Sequence, residues 1–431
     1  MNRSEELLSL IDKSPTVFHT CEVIGNRLKE NGYVQLKEEE TWDIRPGENY
    51  YVIRNHSSLL AFQIPTDTER LHLQMCASHI DSPMFKLKPE GQMTGNGCIR
   101  WNVEIYGGPV LSTWLDRPLS VAGRVFVKNG PKIESVLVNI DKDFAIIPNT
   151  APHLNRNLNE GYKYNAQVDM MPVFGCEGQN DILFEEIEKA CGVKKEDIAG
   201  YDLYLYNHQK GTIWADGQLI SAPRLDDIQC AYAGIAGLLE AKAESHINMM
   251  CCFDNEEVGS TTRQGAHSDF LINTITRILR SLGKADETEE IISRSFMVSA
   301  DNAQAVHPNH PELTDATTKA YVNGGITIKM NANQSYTTDG FSNAVFQAIC
   351  EKCNVPYQQY VNRSDLRGGR TLGNISNSNV SVNSVDIGLP QWAMHSCYET
   401  AGCKDTEDAV TALTCYFNTD IDIVGNIAEL K

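Results

Sequence analysis

Five short islands of the 431-residue chain carry the residue types of metal-assisted hydrolysis: His79-Ile80-Asp81, Arg224-Leu225-Asp226-Asp227, Asp254-Asn255-Glu256-Glu257, Ser299-Ala300-Asp301 and Met394-His395-Ser396. Two imidazoles and at least three carboxylates form a ligand mix suited to a pair of zinc ions. The neighbouring Glu256 and Glu257 repel each other unless a cation compensates them. A metal held by Glu257, with Glu256 turned toward water as general base, resolves that conflict; a solvated acidic turn is the plain alternative. Asp81 follows His79 by two residues and can accept the imidazole's second N–H, fixing tautomer and ring direction. Asp226 and Asp227 fall at a strand-to-helix junction, where either one caps the helix and the other is free for a metal. Asp301 and His395 complete the set. Taken singly, each island reads equally well as a turn, a cap or a core histidine. Most of them follow an apolar, strand-like run, and ligands of open α/β sheets gather at strand carboxyl ends.

The elements that must position these islands alternate along most of the chain. Helices are expected over 4–11 and 23–31, the second ended by Gly32, with Ser14-Pro15-Thr16 as a breaker between them. Strands are expected over 50–53, 58–62 and 71–77, the last leading directly to His79. An Ala-rich helix over 228–244 is followed by an apolar strand over 247–253, then a helix near 269–282 and a strand over 295–298. A strand at 325–329, a helix at 341–353, a strand at 382–387 and a last helix near 408–417 continue the alternation. This order predicts an α/β fold with a three-layer α/β/α catalytic domain. Residues from about 88 to 213 break the pattern with β-type runs at 121–127 and 133–140 and turns rich in Gly, Asn and Pro. The expected division is therefore a catalytic domain made of 1–87 and 214–431 and an inserted β-rich domain at 88–213.

Composition narrows the function classes. Hydrophobic residues at 42% and charged residues at 22% suit a globular protein, and no apolar run approaches a membrane span. With 37 basic against 56 acidic side chains the net charge is −19, which disfavours nucleic acid and anionic membranes as partners. The polar, acidic start lacks the apolar core of a signal peptide, so a cytoplasmic location is expected. Thirteen cysteines, an odd number scattered through apolar segments, read as reduced thiols. Cys350 and Cys353 have the spacing of a redox or metal pair, but they lie in an expected helix without a second pair and are read as structural.

Further motifs accompany the islands: Ser14-Pro15-Thr16-Val17-Phe18-His19, Ser78-His79-Ile80-Asp81-Ser82-Pro83, Tyr106-Gly107-Gly108, Trp114-Leu115-Asp116-Arg117, Ser221-Ala222-Pro223-Arg224-Leu225-Asp226, Glu257-Val258-Gly259-Ser260 and His307-Pro308-Asn309. In this order the chain resembles, over essentially its full length, the aspartyl aminopeptidase family of dinuclear zinc exopeptidases. The resemblance implies two zinc ions per subunit, with cobalt or manganese as possible substitutes. It makes Asp226 the bridging ligand, His79 and Asp301 the partners of one ion, and Glu257 and His395 those of the other. Glu256 is then the general base and Asp81 the support of His79. His153 matches a histidine that reaches the active site of a neighbouring subunit, and the family assembles as tetrahedral dodecamers built from dimers. Lys329 and Tyr336 match substrate-pocket positions, the lysine suiting an acidic side chain. Gln304 departs from members that carry histidine there. The expected activity is removal of N-terminal residues, preferably Asp or Glu, from peptide substrates. A family member preferring neutral residues, a related zinc carboxypeptidase or deacylase, and a non-catalytic shell or cargo-binding protein are the alternatives.

Overall fold

The computed structural model describes residues 2–431 apart from 180, 243, 367 and 370. Its centre is a nine-stranded sheet, in spatial order Val34–Leu36, Asn49–Arg54, Ser58–Gln63, Ile247–Phe253, Leu73–His79, Phe296–Ala300, Asn383–Gly388, Ile326–Lys329 and Tyr357–Tyr360. The four middle strands run parallel, so their carboxyl ends share one edge. Three of them are buried from end to end, and Ile247–Phe253 accordingly reads as a nearly unbroken apolar run.

Side chains that alternate along these strands feed two separate cores. Cys76, Met250, Cys252 and Val298 face the helices Arg3–Asp12, Val17–Glu30, Leu225–Glu240, Gly340–Lys352 and Cys403–Asn418. Met75, Met249, Cys251 and Met297 face Phe270–Ser281, Thr288–Ser293 and Leu372–Ser376. The result is the expected three-layer α/β/α arrangement. Helix Leu225–Glu240 lies close to both neighbours, because a Cβ on Gly234 would stand 2.4 Å from Met250 Sδ and one on Gly237 3.0 Å from Leu413 Cβ.

A second sheet draws all six strands from Met84 to Cys176 and Ile198 to Asn207, every pair antiparallel. It carries one longer helix, Ile182–Cys191, that the β-rich reading of this stretch lacks. A third sheet of five short strands joins Thr212–Trp214, Leu219–Ala222, Glu399–Gly402, Pro390–Trp392 and Ala303–Gln304. It ties the segments carrying Asp226, Asp301 and His395 to one another.

Several boundaries differ from expectation. The helix expected at 23 begins at Val17: Thr16 holds the extended pre-helical position, and its hydroxyl meets His19 Nδ1 at 2.8 Å instead of capping. The strand expected over 71–77 runs Leu73–His79, so His79 is its last residue rather than its successor. The helix expected to reach 244 stops at Glu240, and the last helix begins at Cys403 rather than 408.

Candidate metal centre and active site

Strand register assembles the islands. Phe253 pairs with His79 in the parallel ladder, so Asp254–Glu257 leaves the sheet beside that imidazole. Ser299 pairs with Ala77, which brings Asp301 to its other side. Asp226 arrives from the third sheet, followed by a helix whose first two acidic residues have non-helical dihedral angles. Those angles separate the two aspartates, and neither caps the helix. Asp227 turns inward, accepting from the backbone N–H of Asn302 at 3.1 Å and of His79 at 3.4 Å. Asp226 turns into the cleft.

Both imidazoles are held in the same way. His79 Nδ1 donates to the Asp81 carbonyl at 3.0 Å, leaving Nε2 facing Asp226 Oδ1 at 3.4 Å and Asp301 Oδ1 at 3.8 Å. His395 Nδ1 donates to the Gly108 carbonyl at 3.1 Å, leaving Nε2 facing Asp226 Oδ2 at 3.5 Å and Glu257 Oε2 at 3.7 Å. The two oxygens of Asp226 thus point into two pockets, each walled by one imidazole and one further carboxylate. The Asp81 carboxylate accepts from the backbone N–H groups of Glu256 and Glu257, both at 3.2 Å, and from the Tyr106 hydroxyl at 2.6 Å. It stands 3.3 Å from His79 Nδ1. Gly107, at φ 71°, lies against Glu257: a Cβ there would sit 3.0 Å from Oε2.

So many buried carboxylates repel. Burial and the charges of Asp301, Asp81 and Asp226 push Glu256 up to about 8, against the pull of His79. Burial and Asp226 drive Glu257 well above the carboxylate range. Burial opposes a charge on His79, yet the adjacent carboxylates of Asp226, Asp301 and Asp81 hold it well above its ordinary value. Asp226 Oδ1 and Glu257 Oε1 are buried with no hydrogen-bond partner. Orphaned carboxylate oxygens beside paired imidazole nitrogens fit hard or borderline divalent cations, zinc foremost.

The cleft above this cluster has a volume of about 370 Å³ and is also lined by Gln304, Lys329, Tyr336 and Asn362. Lys329 is buried; its ammonium donates to the carbonyls of Asp301 at 2.8 Å and Asn302 at 3.3 Å and stands 3.5 Å from Asp301 Oδ2. Against burial, Lys329 and His79 keep Asp301 below the ordinary carboxylate range. The Tyr336 ring centre is 5.4 Å from Lys329 Nζ. His153 is exposed in a turn of the same chain and does not line its cleft.

Glu399 escapes motif reading altogether, and Tyr106, part of the motif Tyr106-Gly107-Gly108, is given no role by it. The buried carboxylate of Glu399 accepts from the backbone N–H of Asp226 at 3.0 Å through one oxygen and of His395 at 2.8 Å through the other. Tyr106 joins Asp81 to Asn255, whose side-chain amide donates to the tyrosine oxygen at 2.9 Å. The one signal available for Glu399 is its place four residues after His395, a carboxylate near a candidate ligand.

A carboxylate–imidazole cluster with orphaned oxygens, at the carboxyl edge of a parallel sheet and beneath a polar cleft, defines a metal-dependent hydrolase. A family model described as "Aminopeptidase I zinc metalloprotease (M18)" matches residues 10–417. The chain therefore belongs to the M18 family and is a zinc-dependent aminopeptidase. It is 44% identical over 413 residues to "Probable M18 family aminopeptidase 2" of Clostridium novyi, covering 93% of this chain and 95% of the relative. The fold superposes on a chain of the structure described as "Cryo-EM structure of the Ape4 and Nbr1 complex" with TM-score 0.92 and 31% identity, over 96% of this chain and 85% of that one. It also matches the mApe1 dodecamer of S. cerevisiae with TM-score 0.83 and 26% identity, over 96% of both chains. Among the described residues no helix is long and apolar enough to cross a membrane.

Proposed function

We propose that the centre holds two zinc ions, one between His79, Asp226 and Asp301 and the other between Asp226, Glu257 and His395. The observation that carries this reading is the pair of Asp226 oxygens, each facing its own imidazole–carboxylate pair. Bound there, the ions supply Lewis-acid polarisation of the scissile carbonyl and acidification of the attacking water. Glu256 takes the proton from that water and delivers it to the leaving amine, a role supported by its place in the cleft beside Glu257. Asp81 holds the Glu256–Glu257 backbone and the His79 ring, and Glu399 holds the backbone of Asp226 and His395.

The N-terminal residue removed is Asp or Glu, supported by the Lys329 ammonium in the cleft wall. A neutral preference is the second reading. It is favoured by the three contacts that already engage that ammonium at Asp301 and Asn302. Residues 88–213 form the unit through which subunits pair, and the whole assembles as a dodecamer, a reading supported by the yeast relative. In that assembly His153, exposed here, completes a neighbour's site. All 13 cysteines are unpaired, which supports a cytoplasmic location.

Glu256→Gln tests the central assignment. Turnover of an unblocked peptide is expected to fall about 10³-fold with zinc content unchanged; comparable turnover in the metal-loaded variant would remove Glu256 from the reaction. An N-acetylated peptide must not be cleaved, and a panel of N-terminal residues separates the acidic from the neutral reading.

A further inference from the structure

Helix Gly340–Lys352 ends at Cys350-Glu351-Lys352-Cys353, where spacing suggests a pair between the two cysteines of the motif. The fold separates them by environment: Cys350 is fully buried, whereas Cys353 is partly accessible. Cys353 instead meets Cys415, which reaches over from helix Cys403–Asn418 and is also partly accessible. The two sulfurs share one carbonyl, that of Ile349, at 3.2 Å from Cys353 Sγ and 3.8 Å from Cys415 Sγ. The two thiols lie close enough that each shifts the other's titration. Thr419 Oγ1 lies 3.9 Å from Cys415 Sγ, and Lys352 adds a positive field beside it.

We propose that Cys353 and Cys415 are a dithiol modification site, oxidised to an intrachain disulfide by a low-molecular-weight disulfide of the glutathione type. The Cys415 thiolate attacks one sulfur of the reagent, forming a mixed disulfide and expelling one thiolate. Cys353 loses its proton to solvent and attacks Cys415 Sγ, expelling the second thiolate. Two protein thiols are oxidised, one disulfide reagent is reduced to two thiols, and no other oxidant enters. Cys415 is the attacking partner because the neighbouring Cys353, with help from Thr419 and Lys352, lowers its pKa against burial, while Cys415 raises that of Cys353. The product cross-links the helix that follows Tyr336 to the helix that follows Glu399, and closing so long a loop restricts the unfolded chain. This inference stands apart from the assignment of the metal centre.

The test uses the reduced, zinc-loaded enzyme, exposed to glutathione disulfide at pH 7 and then alkylated in denaturant for peptide mass mapping. The expected result is loss of two of the 13 thiols per chain and a peptide cross-linked between Cys353 and Cys415. Cys353→Ser should carry glutathione on Cys415, and Cys415→Ser should leave Cys353 reduced, both variants keeping the reduced enzyme's peptidase rate. Alkylation of Cys415 should have its midpoint below the ordinary thiol range and, at about pH 6, should run several-fold faster than alkylation of exposed Cys176. The oxidised wild type should melt at a higher temperature, reversibly on reduction, and neither variant should. Retention of all thiols, or oxidation at Cys176 or between chains in place of the cross-link, overturns the proposal.

Discussion

Two parallel strands of the central sheet have a histidine cluster at each end. At their amino ends, His72 and His246 stack with ring centres 5.1 Å apart, and Asp420 lies 3.4 Å from His72 Nε2. At their carboxyl ends stand His79 and the Asp254–Glu257 island. Both clusters bring imidazole and carboxylate atoms within a metal's reach. They differ in what already satisfies those atoms. His246 Nε2 donates to the Phe417 carbonyl at 3.0 Å, and His72 Nε2 faces Gln74 Oε1 at 3.3 Å. Burial, together with the neighbouring His246, takes His72 down to about 4, so the pair stays neutral and packed. At the other end carboxylates outnumber cations, two oxygens are orphaned, and His79 is pulled toward its charged form. Unmet charge, rather than ligand count, separates a working centre from a structural knot.

The largest effect that sharpens this contrast is at Asp226. Asp226→Ala removes the carboxylate shared by both pockets and should abolish peptidase activity, at least 10³-fold, with loss of bound zinc by elemental analysis. Asp420→Ala should leave zinc content and kcat unchanged; a matching loss of metal would erase the distinction. Next comes Glu399→Gln, which keeps the volume but weakens the grip on the Asp226 and His395 backbones. Zinc affinity is expected to fall about 10–100-fold in a chelator titration, and an unaltered affinity would show that the contact is only structural.

A smaller effect concerns protons. With Glu256 near 8 and Glu257 and His79 raised, the metal-free centre holds protons at pH 7 that zinc must displace. Zinc addition should therefore release protons into an indicator dye at pH 7 and fewer at pH 9; equal release at both contradicts the raised values. The smallest effect belongs to the amino end. The folded value of His72 lies below its ordinary 6.5, so its contribution to stability is full above about pH 6.5 and is lost as pH falls toward 4. His72→Phe should flatten that acid limb by on the order of 2 kcal/mol in denaturant titrations, with kcat at pH 7 within about twofold of wild type. An unchanged acid limb would place the protonation elsewhere.

Much of this was legible along the chain because buried middle strands such as Ile247–Phe253 and Phe296–Ala300 are rich in apolar residues and the functional islands follow them. His79, Glu256, Glu257 and Asp301 all stand at or just past such an end. Local propensity left Asp226 and Asp227 equal, since it makes both good caps, and only the family resemblance favoured Asp226. The dihedral angles at the junction turn one into the cleft and the other toward two backbone N–H groups. Glu399 was invisible for another reason: it serves Asp226 from 173 residues away, through a sheet whose strands are only two to four residues long. Such strands carry too few alternations to register as a pattern.

Residue types and their order along the chain were enough to point to metal-ligand chemistry with a second carboxylate beside a candidate ligand, and to predict a layered α/β scaffold with an antiparallel stretch between its parts. Apolar periodicity and short-range spacing encode those properties locally. Only the folded chain showed how Asp226 and Asp227 part, which carbonyls hold the imidazole tautomers, that Lys329 is engaged by Asp301, and that the Cys353 and Cys415 sulfurs share the Ile349 carbonyl. Each of these depends on the direction of a side chain relative to a segment distant in sequence. Strand register and helix packing set that direction, and no spacing rule contains it.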